Sequence, residues 1–321
     1  MIIPAYLNDN DYIGVTACSS GVLAKIDKYE KSIENVKKQG FKILETPNVR
    51  TNGIVSSDAL TRVEELNSLI INKDIKMINI AAGGDFLCEI LPLLDYDLIK
   101  NNLKWYGGSS DPTSLLYSIT TKLDIPTIYT PCNMSGYSSD NLHQSYLDYF
   151  QIIRGNLVKQ YKSDKYESDD DIFDLDNEWN SFGKDICEEG ILLGGCIDCL
   201  KDIIGTKFDN TLEFIEKYKD EGIIWYFDVF SLSVEDLYRT LLQFKNAGWF
   251  KYTKLILIGK VRFPNTFTEL SYDEMIRKAL DEYDIIYKFD VGHVKPSMTM
   301  INGFKARVKY DKNEGSLEYL K

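Results

Sequence analysis

Residues 103–130 read LKWYGGSSDPTSLLYSITTKLDIPTIYT. A short apolar run, 103–106, stops at Gly107 and Gly108. Apolar residues at helical spacing follow Pro112 as far as position 123. A second short apolar run covers 126–130. Proline suits the first turn of a helix, where its missing N–H costs no intrahelical bond. The stretch therefore predicts strand, helix, strand, and strands joined through a helical crossover run parallel.

The same alternation extends outward. Strands are predicted at 11–17, 41–45 and 76–81, and helices at 22–39, 58–72, 85–94 and 140–154. The expected N-terminal domain is thus a parallel-sheet α/β domain over residues 1–160. The pattern breaks at 163–179, SDKYESDDDIFDLDNEW, which is dense in acid and without periodicity. A calcium loop of the EF-hand kind needs a glycine at its sixth position, which is missing, so a solvated linker over 161–182 is expected. Beyond it, strands at 190–193, 223–227, 255–259 and 285–289 mix with helices at 211–220, 234–246 and 272–282. Segments 304–310 and 316–320 around DKNEG read as a hairpin. Residues 183–321 are expected to form a mixed α/β C-terminal domain.

The 321 residues carry a net charge of −12, which disfavours nucleic acid and anionic membrane as partners. The opening MIIPAYLNDNDYIGV has no basic segment ahead of an apolar one, and no apolar run approaches a membrane span. A cytoplasmic location with free thiols is expected. Cys196 and Cys199 form a C-x-x-C, but no second pair or nearby histidine pair completes a zinc set, so no metal is expected.

Histidine is scarce: His143 and His293 are the two in the chain, so an imidazole base must be one of them. His143 sits in DNLHQSY, on a predicted polar helix face. His293 sits in FDVGHVKP, at a strand end, where functional loops concentrate. Ser110 lies on the turn of WYGGSSDPTSLL and resembles a nucleophile elbow, although Pro112 stands where G-x-S-x-G has its second glycine. Read alone, the turn equally suits a helix cap by Ser110 or Asp111. Gly83 and Gly84, in INIAAGGDFL, suit either a tight turn or backbone donors to an oxyanion. Asp228 follows the apolar run IIWYF and is placed either to orient an imidazole or to cap a turn.

Taken together, IGVTACSS, AAGGDFLCEILPLLDYDLIKNNLKW, GGSSDPTSLL, GILLGGCIDCL, WYFDVFSLSVEDLYRTLLQFKNAGWF and VGHVKP resemble, in order, the LD-carboxypeptidase family of serine peptidases. That family also contains the microcin C self-immunity peptidases. The resemblance implies a catalytic Ser110, Asp228 and His293, with backbone N–H groups of Asp111 and Gly84 holding the oxyanion and an active site between the domains. It implies cleavage before a terminal D-Ala of cytoplasmic murein tetrapeptides, no cofactor, a small peptide substrate and a homodimer. The alternatives are a peptidyl-nucleotide immunity peptidase and a binding protein that has lost catalysis. Three positions depart from the family: Asp228 for the usual glutamate, Ser109 for an aromatic residue, and Lys260 for arginine. Asp228→Glu is accordingly expected to be tolerated or to improve activity.

Overall fold

The computed structural model describes residues 1–169 and 172–320. The chain divides into two compact units, one of Met1–Leu157 with Thr299–Ile301, the other of Val158–Met298 with the segment from Asn302 on.

The first unit alternates β1 (Tyr12–Thr16), α1 (Ile26–Lys38), β2 (Lys42–Glu45), α2 (Ala59–Ile71), β3 (Ile75–Ile80), α3 (Tyr96–Asn101), β4 (Trp105–Gly108), α4 (Thr113–Leu123), β5 (Thr127–Tyr129) and α5 (Gln144–Ile152). β1 to β5 pair parallel, as the crossovers demand. The sheet order is β13-β5-β4-β3-β1-β2, with β13 (Met300–Asn302) arriving from late in the chain. The helices cover buried strands, and α4 is buried from Thr113 to Thr121.

The second unit contains β6 (Gln160–Tyr161), β7 (Lys165–Asp169), β8 (Ile172–Asp176), β9 (Ile186–Cys196), α6 (Ile197–Ile203), α7 (Thr211–Lys217), β10 (Ile223–Asp228), α8 (Val234–Asn246), β11 (Thr253–Gly259), α9 (Tyr272–Ala279), β12 (Ile285–Phe289), β14 (Lys305–Tyr310) and β15 (Gly315–Tyr319). Its main sheet runs β12-β11-β10-β9-β14-β15-β6. β9 to β12 pair parallel, and β9, β14, β15 and β6 antiparallel, giving the expected mixed α/β unit. β10 is buried along its whole length because both its faces are covered. Ser233 caps α8, and Ser271 with Glu274 forms a capping box on α9.

Several boundaries differ from the sequence reading. The helix expected over 85–94 is two short 3-10 turns, Leu87–Glu89 and Leu91–Leu93, since Pro92 cannot donate to a continuing helix. The helix expected from 140 starts at Gln144. The segment 161–182, expected as a linker, holds the antiparallel hairpin β7–β8, with Glu167, Asn177 and Trp179 buried. Asp170 and Asp171 of that segment lie outside the described residues. Among the described residues, no helix is long and apolar enough to cross a membrane.

Candidate active site

Parallel strands deliver their loops to one edge. In the first unit the order β2-β1-β3-β4-β5 reverses direction between β1 and β3, and ligands of open α/β sheets bind beyond the carboxyl ends at such a switch. A cavity of about 500 Å³ lies there, lined by Ser20, Val22, Lys25, Asn52, Ile54 and Gly83. Ser110 stands beside it, on the turn from β4 to α4, with φ of 68°. A non-glycine residue in that left-handed region costs about 1–3 kcal/mol and persists only where its surroundings impose it.

Here they do. Ser110 N–H donates to Tyr129 Oη at 2.9 Å, and its carbonyl accepts from Thr113 N–H at 2.9 Å. Asn133 clamps the preceding residue: Ser109 N–H donates to Oδ1 and Nδ2 donates to the Ser109 carbonyl, both at 2.9 Å. No side chain caps α4 at Pro112. Asp111 instead turns away, its Oδ2 accepting from Leu87 N–H at 3.0 Å. Burial holds its carboxyl above the ordinary range, against the lowering effect of hydrogen bonds from Ser19 and Leu87. The loop after β3 is thereby tied to the serine turn. A Cβ on Gly83 would sit 3.3 Å from both Cβ and Oγ of Ser110, so glycine lets the backbone approach the hydroxyl. Gly84, at φ of 143°, packs against Ser19 in the same way.

The second unit presents its own carboxyl edge. Asp228 ends β10 and is fully buried, and Cys196 ends the neighbouring β9 as its register partner. His293 follows β12. Asp228 uses both oxygens on it: His293 Nδ1 lies 2.7 Å from Oδ2, and His293 N–H donates to Oδ1 at 3.0 Å. Gly292, with φ of 110°, makes this possible, because a Cβ there would overlap Oδ1. The imidazole is held 21% exposed. Burial alone would push its pKa down, but the charge and hydrogen bond of Asp228 outweigh burial and hold it above 6.5. Phe230 packs on the ring, centroids 4.5 Å apart. Asp198 fixes that phenylalanine loop, accepting from Phe230 N–H at 2.9 Å and Ser231 N–H at 3.0 Å.

Glu167 of the acidic hairpin supports the histidine loop. Its Oε1 accepts from Lys295 N–H at 3.0 Å, while its own N–H donates to the Lys295 carbonyl at 2.9 Å. Neither Glu167 nor Asn133 carried a recognisable signal, since one is an acid among acids and the other an asparagine in a polar loop. Other titratable groups have partners of their own. His143 is the N-cap of α5, its ring nitrogen accepting from Ser145 N–H at 3.1 Å. Asp290 is engaged with Lys260 Nζ at 2.8 Å, Asn177 Nδ2 at 2.8 Å and Ser163 N–H at 3.0 Å. The Cys196 thiol is pushed well above its ordinary range by its hydrogen bond to Cys199, by burial and by nearby anionic groups.

One α/β unit carries a serine on a strained turn and the other a carboxylate–imidazole pair, and comparison with known proteins gives the class of the chain as a peptidase. The LD-carboxypeptidase N-terminal domain matches residues 13–130 and the LD-carboxypeptidase C-terminal domain residues 189–308, so the chain belongs to the LD-carboxypeptidase family. It is 26% identical to the microcin C7 self-immunity protein MccF of Escherichia coli, over 98% of this chain and 95% of that protein. The structure of MccF in complex with aspartyl sulfamoyl adenosine has the same fold, with TM-score 0.85 and 23% identity over 100% of this chain and 99% of the other. A muramoyltetrapeptide carboxypeptidase from Oxalobacter formigenes shares the fold at TM-score 0.76 and 18% identity, over 97% and 99% of the two chains.

Proposed function

We propose that this chain is a serine-type carboxypeptidase that hydrolyses the amide before a terminal D-Ala of murein tetrapeptides, with Ser110 as nucleophile, His293 as general base and Asp228 orienting it. The observation that carries the reading is the 2.7 Å pairing of His293 Nδ1 with a fully buried carboxylate, which favours the ring proton on Nδ1 and the basic lone pair on Nε2. The hydroxyl proton of Ser110 passes to Nε2 as Oγ bonds to the carbonyl carbon. The oxyanion is held by the N–H groups of Asp111 and Gly84, each worth about 3 kcal/mol at the transition state. Collapse breaks the C–N bond, and His293 returns the proton to the leaving amine. Water then releases the acyl group by the same steps in reverse.

A second reading keeps this chemistry and exchanges the substrate for a peptidyl nucleotide. It is favoured by Phe230 and the exposed Phe263, rings 5.1 Å apart beside His293, where a base has an aromatic surface to stack on. One experiment tests both: the protein is incubated separately with murein tetrapeptide and with an aspartyl-adenylate analogue carrying a scissile amide, and products are followed by mass spectrometry. Loss of one alanine supports the first reading, and release of aspartate the second. A fluorophosphonate should label Ser110, and Ser110→Ala should abolish both labelling and turnover. Label on Ser109 shifts the register by one; no label and no product on either substrate reject the serine mechanism.

A further inference from the structure

The C-x-x-C of GGCIDCL has no part in the proposed reaction, yet the fold carries it to the histidine. Cys196 ends β9 and Asp228 ends β10, side by side in register, and the loop after β12 folds His293 over both. One ligand atom from each of Cys196, Asp228 and His293 lies within 4.8 Å of the other two. Cys199, one turn into α6, hydrogen bonds to Cys196. The donors are sulfur, imidazole nitrogen and carboxylate oxygen, the set that suits a borderline-soft divalent ion.

We propose that Cys196, Asp228 and His293 form a binding site for a thiophilic divalent cation of the Zn²⁺ class, with Cys199 or water as the fourth ligand, and that the ion switches off the hydrolytic site. Bond lengths of about 2.0–2.3 Å place the donors of a tetrahedral zinc roughly 3.3–3.8 Å apart, so the cluster needs adjustments of about an ångström to close. Charge favours it. A thiolate, a carboxylate and a neutral imidazole sum to two negative charges, which a dication cancels in a place where an unpaired ion is costly. Binding exchanges the Cys196 thiol proton for the metal and releases that proton to solvent. An ion on either ring nitrogen leaves Nε2 metal-bound or carrying the neutral ring's proton, so Nε2 cannot take the Ser110 proton and occupancy and turnover exclude each other. The binding claim stands on the cluster alone; the inhibition rests on the proposed role of His293.

The test separates the two. The reduced full-length protein is titrated with Co²⁺ and, in parallel, dialysed against Zn²⁺. One equivalent per chain is expected, with a near-ultraviolet thiolate-to-cobalt charge-transfer band that Zn²⁺ displaces. Cys196→Ala should lose the band. His293→Ala should keep it while weakening binding at least tenfold. Replacing the exposed Cys88 and Cys187 by alanine should leave it unchanged. Should Cys196→Ala fail to fold, the other two variants still decide. A band that follows Cys88 or Cys187, or no stoichiometric binding, overturns the site. In a second arm, saturating Zn²⁺ should slow fluorophosphonate labelling of Ser110 at least tenfold. Labelling unaffected by bound metal overturns the inhibition, whereas labelling absent without metal counts against the proposed reaction and leaves the cobalt result intact.

Discussion

Replacing Asp228 by glutamate adds one methylene, which carries the carboxylate about 1.3–1.5 Å further from the backbone. The resemblance to enzymes that use glutamate suggests that this change should be harmless. The geometry argues the reverse. The aspartate already sits 2.7 Å from Nδ1 and 3.0 Å from the His293 N–H, so there is no gap for the longer side chain to fill. Nor is there room to retreat, because Gly292 touches Oδ1 so closely that even a Cβ would overlap it. The glutamate must buckle or push the imidazole away, and a displacement of about 1 Å costs roughly a hundredfold in rate, or about 2.7 kcal/mol. Overpacking should also cost about 1–3 kcal/mol of stability. The assay is kcat/KM on the substrate that the mass spectrometry identifies, with the rate of fluorophosphonate labelling as a substrate-independent check and urea unfolding for stability. Asp228→Glu as fast as the parent, or faster, would refute the argument that loop and acid have adjusted to each other.

Asp228→Asn should lower kcat by up to about four orders of magnitude, the size associated with neutralising an orienting acid; full activity in that variant would remove Asp228 from the mechanism. Because His293 must be neutral to act as base and its pKa is held above 6.5, the acid limb of kcat/KM should fall above pH 6.5 and move down in Asp228→Asn. The same raised pKa makes the charged pair stabilise the fold fully below about pH 6.5. That contribution should fade as pH rises through the folded value, which a urea titration against pH measures. Asn133→Ala removes both bonds that hold Ser109, so the left-handed Ser110 should relax, labelling should slow about tenfold or more, and stability should drop by about 1–3 kcal/mol; unchanged labelling would show that Tyr129 alone holds the turn. His143→Ala should lower stability by about 1 kcal/mol through loss of the α5 cap while leaving the labelling rate unchanged.

How much of this was legible before the structure differs by the kind of interaction involved. β10 and β11 were plain because a strand buried on both faces is a continuous apolar run, and IIWYF and LILIG are such runs. The β7–β8 hairpin was not, because among its described residues most are exposed, Tyr166 and Phe173 are half-buried and Glu167 alone is buried, so no apolar alternation marks it. Residues 85–94 carry helical spacing, yet Pro92 and the capture of Leu87 N–H by Asp111 divert the backbone. The apolar signal of β9 covers only its buried part, 190–193; the stretch before it, with Cys187, Glu188 and Glu189, is exposed or half-buried and is held by pairing with β14.

The site divides along the same line. His293 could be singled out by scarcity and Asp228 by its place after an apolar strand, both local properties of the chain. That the two meet depends on β10 and β12 flanking β11 and on a glycine at 292 that yields space to Oδ1. In the sequence Cys196 reads as half of a C-x-x-C with no further ligand set nearby. Its ligands are lateral: the end of one parallel strand sees the end of the next, and a sheet converts residues far apart along the chain into neighbours about 4.8 Å apart across it. A metal search by sequence spacing therefore misses sites assembled at a strand edge, the same edge where an α/β fold assembles its chemistry.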